Sequence, residues 1–179
     1  KRIRAQRKGS SPRYRVNSHR FPGRNRLPNI RDEVVEVTEL IHSPVHTAPL
    51  ARVKRESGEE SLIVATEGIS VGQNLAFGDN LTLRPGNVTT IGNIPEGTPV
   101  NNLELRPGDG GKVARSGGAS CVVESRMEGG RIRVRLPSGK TKDLPEKCRA
   151  TIGVLAGHGR SEKPLMKADA AHYKAKARG

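Results

Sequence analysis

The chain has 179 residues, 32 of them Lys or Arg and 18 Asp or Glu, which gives a formal net charge of +14 at pH 7. A balance this basic predicts a polyanionic partner, either nucleic acid or an anionic membrane surface. No stretch approaches the roughly 18 apolar residues of a membrane-spanning helix, and no secretory leader is visible. We therefore expect a soluble, cytoplasmic protein that binds nucleic acid and no membrane.

The first 31 residues form a strongly basic segment, with eleven Lys and Arg and no Asp or Glu. Such a segment repels itself and has too little apolar surface to offset the entropy of ordering, so we expect it to be unfolded in isolation. It is predicted to be an arm, over residues 1–31, that lies on a polyanion. Its candidate phosphate ligands are Arg2, Arg4, Arg7, Lys8, Arg13, Arg15 and Arg20.

Short apolar runs separated by Gly and Pro follow the arm, and they predict strands. The first set lies at 34–41, 50–54 and 62–65, and the second at 88–94, 100–105, 119–124, 131–136 and 150–155. Many short strands with Gly and Pro turns are typical of small all-β sandwiches or barrels. The net charge changes from −6 over residues 32–98 to +5 over residues 99–155. That break favours two successive barrels, which we place at 32–86 and 87–155.

Aromatic residues and cysteines are scarce, which limits the ways in which the chain can bind RNA or a metal. The chain has no Trp, two Tyr and two Phe, so it lacks the aromatic side chains that stack single-stranded RNA bases. Binding through phosphates, 2′-hydroxyls and the shape of a folded RNA is therefore expected. Cys121 and Cys148 lack the spacing of a metal site, and we expect reduced core thiols and no bound metal.

The glycine-rich segment 106–118 is the most unusual motif. Five of its residues are Gly, and Lys112 and Arg115 lie among them. Because Gly has no Cβ, backbone N–H groups can approach a phosphate closely there while the two cations close over it. A nucleotide-binding P-loop is excluded because Val113 follows Lys112, where that motif needs Ser or Thr. A mobile hairpin with no ligand is the alternative.

Residues 131–136 alternate basic and apolar side chains. In a strand, Arg131, Arg133 and Arg135 line one face about 6.7 Å apart, a spacing that suits successive phosphates. A turn at 127–130 predicts a hairpin with the preceding strand. A merely solvated face is the alternative, and the absence of an acid between the three arginines favours RNA.

Further basic residues follow towards the C-terminus. A turn at 137–140 presents Lys140, and Arg149 is predicted either to contact RNA or to pair with Glu146. Residues 156–179 form a second basic tail with a short helix expected over 168–177 once its charges are neutralised. The tail's candidate RNA ligands are Arg160, Lys174, Lys176 and Arg178.

No catalytic centre is apparent. The five His residues fall in the arm, beside Pro-rich turns and in the tail, with no nucleophile, base and orienting acid grouped in sequence. We predict neither an enzyme nor a small-molecule substrate.

Several long motifs in order resemble the universal large-subunit ribosomal protein L2 family. They are Gly-Thr-Pro-Val at 97–100, Pro-Gly-Asp-Gly-Gly-Lys-Val-Ala-Arg-Ser at 107–116, Val-Arg-Leu-Pro-Ser-Gly at 134–139 and Cys-Arg-Ala-Thr-Ile-Gly-Val at 148–154. The opening nine and closing eight residues resemble the archaeal and eukaryotic cytosolic branch.

This resemblance implies an OB-like barrel followed by an SH3-like barrel, with basic extensions threading into large-subunit rRNA. It implies a structural role near the peptidyl transferase region, support of subunit association, and rRNA and other ribosomal proteins as partners. By motif match the RNA-facing residues are Lys112, Arg115, Arg135, Lys140, Arg149 and Arg160. No cofactor is implied, and Mg²⁺ bridging protein and rRNA is left open.

The resemblance does not extend to a role in peptide-bond synthesis, and it leaves open a second class of protein. Family members usually continue into a Gly-rich basic extension with a His linked to peptide-bond synthesis, and this sequence ends before it, so we expect none of its His residues to have that role. The alternative to a ribosomal component is a transiently bound translation or transcription factor with an SH3-like barrel. A steep salt dependence of RNA binding favours the component.

Overall fold

The computed structural model describes residues 18–30, 32–79, 81–159, 162–169 and 171–172. Ten strands form one continuous sheet in the order β3-β2-β1-β4-β5-β10-β6-β7-β8-β9, which curls into two small barrels. The strands are β1 Glu33–Ile41, β2 Leu50–Arg55, β3 Glu60–Val64, β4 Asn74–Phe77, β5 Val88–Thr90, β6 Pro99–Asn101, β7 Cys121–Met127, β8 Arg131–Arg135, β9 Thr141–Pro145 and β10 Arg149–Ile152. The all-β prediction is confirmed.

The first barrel is built from β1 to β4. Strand β1 alternates buried and exposed side chains, so that Val35 and Val37 face the core while Val34 and Glu36 face outwards. It pairs antiparallel with β2 on one side and with β4 on the other, and β2 pairs antiparallel with β3. Strand β4 was not predicted, because only two of its four residues, Leu75 and Phe77, are buried apolar side chains.

The second barrel is built from β6 to β10 and has its own core. The predicted hairpin is present as β7 and β8, and β9, which was not predicted, extends that sheet. Strand β9 escaped prediction because Leu144 is its only buried residue. The strand expected over 88–94 ends at Thr90 and continues as a 3-10 turn, Ile91–Asn93. The strand expected over 100–105 ends early, at Asn101, and Asn102 follows with a positive φ of 47°.

Strand β5 joins the two barrels. It pairs with β10 of the second barrel, while Val88 pairs in parallel with Phe77 of the first. Val88 also packs in the first core, so β5, which begins just after the predicted boundary between residues 86 and 87, contributes to both barrels. Leu155, at the predicted end of the second barrel, packs with Leu50 in a small cluster between the two. The barrels therefore share a continuous contact, which we call the seam.

The end of the predicted basic arm is an ordered part of this fold. Residues 23–30, which we call the strap, run beside β3 and reach the second barrel: the Arg26 N–H donates to the Leu62 carbonyl at 3.2 Å, and the Leu27 N–H donates to that of Gly110 at 3.0 Å. Leu27 and Ile30 are buried in the first core. The expectation of an arm without packing is thus wrong for the strap, because these two apolar side chains anchor it.

Part of the predicted terminal structure lies outside the described residues. This applies to Arg2, Arg4, Arg7, Lys8, Arg13 and Arg15 in the arm, and to Arg160, Lys174, Lys176 and Arg178 in the tail. Of the helix expected over 168–177, residues 168–169 and 171–172 are described, and they are helical.

Candidate RNA interface

The glycine-rich loop is organised around a buried protein carboxylate. Glu104 is fully buried, and its two oxygens accept hydrogen bonds from the N–H groups of Gly108 and Gly110, each at 3.1 Å. Its other donors are the Arg149 N–H at 3.0 Å and the Arg149 guanidinium at 2.7 Å. Burial raises the pKa of Glu104, but the hydrogen bonds from Arg149 and Gly108 outweigh it, so the net shift is downward.

A second carboxylate completes the loop. Asp109 accepts from the N–H groups of Leu105, Arg106 and Gly111 at 3.1–3.3 Å. Gly111 has φ +81°, and a Cβ there would stand 2.2 Å from Asn102 Oδ1, so only Gly fits this position. The interpretation that the loop's amides bind phosphate is therefore wrong for Gly108, Gly110 and Gly111, because protein carboxylates already occupy them.

Arg149 belongs to the interior of the protein. Its side chain is 13% exposed, and besides Glu104 it donates to the Pro28 carbonyl of the strap at 2.8 Å. The predicted pairing with Glu146 is wrong, because the acid is Glu104, and the predicted RNA contact of Arg149 stays a prediction. Arg149 ties the strap to the second barrel.

Arg115 also contacts the strap, but no carboxylate compensates its charge. Its guanidinium donates to the carbonyls of Gly111 at 3.2 Å and Asn25 at 2.8 Å. Burial lowers the pKa of Arg115, and the nearby positive charge of Arg26 lowers it further. Within the described part of the chain, neither arginine makes an ion pair. Two neighbouring cations that have no ion pair among the described residues are candidates for binding an external anion.

Arg26 opens onto a groove of about 690 Å³, which we call the strap groove. Strap residues Arg24 and Arg26 line one side of it, and Arg52 and Arg55 of β2 line it too. Arg52 pairs with Glu39 at 3.2 Å, and Arg55 pairs with Glu33 at 3.0 Å and with Glu59. Among the residues with known positions, Arg24 and Arg26 have no such acid. They are the free cations of this groove.

A buried amide beside the groove lacks partners as well. Asn25 is 8% exposed, and neither of its side-chain polar atoms has a hydrogen-bond partner among the described residues. Buried polar groups are rarely left unpaired, so a polar ligand or water is expected to complete them. Arg24 and Arg26 were not among the RNA ligands predicted from the sequence, although their alternation around Asn25 was a signal for them.

The arginine face of β8 differs from the strap groove, because acids on the neighbouring strands pair with its guanidiniums. Arg133 forms a two-point pair with Asp143 of β9, at 2.8 and 3.1 Å, and Arg135 lies 3.5 Å from Glu124 of β7. Arg133 holds the pKa of Asp143 below its usual value. The strand itself contains no acid, as the sequence showed, but its face is largely compensated, and Arg131 is the member without an ion pair in the described structure.

The remaining candidates divide by exposure. Arg20, Lys112 and Lys140 are exposed, and none forms an ion pair with a described residue, so their RNA contacts stay predictions. Both cysteines are buried, and burial raises the pKa of each thiol to about 11. Within the described ranges, no three His, Cys, Asp or Glu side chains are grouped to hold a metal.

One serine and histidine form a hydrogen-bonded pair, Ser43 Oγ with His46 Nδ1 at 2.7 Å. Ser43 is 2% exposed, so its hydroxyl is not open to a substrate. The pair fixes the loop before β2, where the Thr47 hydroxyl in turn accepts from the Gly117 N–H at 2.9 Å. We assign it to loop structure.

Comparison with known proteins identifies the family. Residues 2–76 match the model described as "Ribosomal Proteins L2, RNA binding N-terminal domain", and residues 84–179 match "Ribosomal Proteins L2, C-terminal domain". None of the described helical segments is long and apolar enough to span a membrane.

Similar proteins include three named large ribosomal subunit protein uL2. The one from Methanopyrus kandleri is 44% identical, over 100% of this chain and 76% of its own length. Those from Archaeoglobus fulgidus and Hyperthermus butylicus are 44% and 45% identical, over 99% and 97% of this chain and 76% and 74% of their own. Together, the two matched domains, the archaeal relatives and the two barrels show that the chain belongs to the ribosomal protein L2 family.

Proposed function

We propose that the chain is a structural component of the large ribosomal subunit that binds and stabilises rRNA. The observation that carries this is a pair of arginines without an ion pair in the described structure, Arg26 at the strap groove and Arg115, which bonds the carbonyl of the adjacent Asn25, in a chain of net charge +14. A phosphate between the two guanidiniums removes their mutual repulsion, and charge-assisted bonds of this kind are among the strongest in proteins. The family membership supports the same function.

The groove is pre-organised by the bonds that hold the strap. Arg149 binds the Pro28 carbonyl, Leu27 binds the Gly110 carbonyl, and Arg115 binds the Asn25 carbonyl. Each bond joins the strap to the second barrel, while Leu27 and Ile30 anchor it in the first. The buried carboxylates thus shape the protein, and the cations left without acids are the ones proposed to meet RNA.

Other parts of the proposal rest on the resemblance and on exposed charge. Exposed Lys112, Lys140 and Arg20 are proposed to add phosphate contacts, as are the basic residues of both termini. A position near the peptidyl transferase region, support of subunit association, contacts with other ribosomal proteins and Mg²⁺ bridging to rRNA remain predictions.

Sedimentation of the tagged chain from a cell lysate tests the function. A structural component co-migrates with intact large subunits at increasing salt, whereas a transient factor dissociates from them. The informative variant is Arg26→Ala, with Arg84→Ala as a control that removes the same charge from an exposed position outside the groove. Reduced incorporation of Arg26→Ala alone supports the proposal. Equal incorporation of both variants contradicts the assignment of the groove.

A further inference from the structure

A second cleft, of about 600 Å³, lies at the seam and shares only Asn29 with the lining of the strap groove. Its volume falls within the range of small-ligand sites, about 300–1,000 Å³. Asp32, Gly78 and Asp79 line it from the first barrel, and Gly108 and Lys147 from the second. We call it the seam cleft. It differs from the strap groove in its acids: Glu59 and Glu60 of the groove pair with arginines, whereas Asp32 and Asp79 have no ion pair with a described residue.

The first wall carries two carboxylates, of which Asp79 is held in place by hydrogen bonds. A Cβ on Gly78 would stand 2.5 Å from Asp32 Oδ1, so the absence of a side chain lets that carboxylate lie against the backbone beside Asp79. Asp79 Oδ1 accepts from Thr90 Oγ1 at 2.8 Å and from Asn93 Nδ2 at 2.9 Å. In the described structure no donor reaches Asp79 Oδ2, which leaves one oriented acceptor for a ligand.

The second wall carries one available cation. Arg149 also lines the cleft, but its charge is compensated by Glu104. Lys147 is exposed and makes no ion pair with a described residue. Between the walls, Thr89 Oγ1 is buried without a hydrogen-bond partner among the described residues, in a side chain only 3% exposed. An orphaned buried hydroxyl lining a cleft points to a polar ligand or water inside it.

We propose that the seam cleft binds one unstacked guanosine nucleotide of the rRNA, an inference that rests on the proposed function. Guanine presents two parallel N–H donors, N1–H and the N2 amino group, one for Asp79 Oδ2 and one for the Asp32 carboxylate, whereas adenine presents one donor beside an acceptor. The nucleotide's phosphate pairs with Lys147 at the cleft mouth. Enzymes that extrude a base likewise bind its Watson–Crick edge and its apolar faces, and Pro107 supplies exposed apolar surface here.

A basic side chain of another protein is the main rival occupant. It would satisfy Asp32 and Asp79 but would meet Lys147 as a like charge. A nucleotide contacts both walls, with its base on the carboxylates and its phosphate on Lys147. The proposal therefore commits to RNA, and an arginine derivative becomes a competitor in the test.

The test is an NMR titration of the full chain with guanosine 5′-monophosphate, adenosine 5′-monophosphate and arginine methyl ester. We expect the guanine nucleotide to shift the backbone amides of Gly78, Thr89 and Lys147, with about tenfold or greater preference over the adenine nucleotide. Asp79→Asn is expected to remove that preference. The matched control Glu67→Gln, an exposed acid outside the cleft, is expected to keep it.

Three outcomes overturn the inference. They are equal shifts with both nucleotides, guanine-dependent shifts that avoid the cleft, and stronger shifts with the arginine derivative. Binding of an rRNA fragment to the same sample is measured in parallel. If the fragment binds and the cleft amides do not respond, the inference fails alone; if the fragment does not bind, the proposed function fails.

Discussion

The strap groove and the outer face of β8 are both rich in arginine, but they differ in what surrounds the guanidiniums. On β8, Arg133 and Arg135 pair with Asp143 and Glu124 from adjacent strands. Beside the strap groove, Arg26 and Arg115 lie near each other, and neither has an ion pair in the described structure. The density of arginine in the sequence is therefore a poorer guide to an RNA site than the acids that the fold brings alongside.

The largest expected effect comes from the carboxylate that builds the loop. Glu104→Ala leaves the buried Arg149 charge unpaired and orphans the N–H groups of Gly108 and Gly110. Losing one partner of a buried pair costs about 3–5 kcal/mol of unfolding free energy. Urea unfolding measures this loss, with Glu96→Ala on the surface as the control. A loss of less than about 1 kcal/mol would show that Glu104 does not organise the loop.

The next largest effect is expected on the rRNA affinity of a strap groove variant. Arg26→Ala removes one of two uncompensated cations, and a hydrogen bond to a charged group contributes about 1.5–3 kcal/mol, so we expect roughly tenfold or greater loss of rRNA affinity. The magnitude of the salt slope is expected to fall by about 1. Filter binding across a salt series measures both. Unchanged affinity with Arg26→Ala would show that this groove does not receive phosphate.

Single variants of Lys112 and Arg115 distinguish contact with RNA from support of the fold within the glycine-rich loop. Lys112→Ala is expected to weaken rRNA binding without changing the unfolding free energy, because Lys112 is exposed. Arg115→Ala is expected to lower both, because it also loses the bonds to Gly111 and Asn25. Affinity and urea unfolding measured on the two single variants distinguish the roles. Identical behaviour of the two variants would contradict this division.

Acid pH is expected to weaken the loop through Glu104. Its pKa is lowered in the folded protein from the ordinary value of 4.5, so the carboxylate contributes stability above that pH. The contribution is lost as the pH falls through the folded pKa. Unfolding free energies of wild type and Glu104→Gln, measured from neutral pH down through this range, are expected to converge. Parallel curves for the two proteins would contradict the linkage.

The smallest effects are expected on β8. Exposed ion pairs contribute about 0–1 kcal/mol, so Arg133→Ala should change the unfolding free energy little. Because Asp143 compensates this guanidinium, the same variant is expected to change rRNA affinity less than threefold, well below the effect of Arg26→Ala. Filter binding under identical salt conditions compares the two. A loss of rRNA affinity in Arg133→Ala equal to that in Arg26→Ala would contradict the difference between the two regions.

The sequence predicted the strands whose apolar residues alternate or cluster, such as β1 and β8, and the succession of two barrels. It did not predict β4 and β9, where one or two buried side chains per strand leave no pattern. It identified the glycine-rich loop as special but assigned its amides to phosphate, because the occupying carboxylate, Glu104, lies before that segment. Likewise, the acids beside Arg133 and Arg135 depend on strand register, which spacing along the chain does not reveal.

The most direct test is a cryo-EM map of the large ribosomal subunit with this chain incorporated. We expect a phosphate oxygen within about 2.7–2.9 Å of the guanidiniums of both Arg26 and Arg115. We also expect that Arg133 keeps its pair with Asp143. A map in which phosphate lies on Arg133 while Arg26 and Arg115 face only solvent and protein would contradict the central claim.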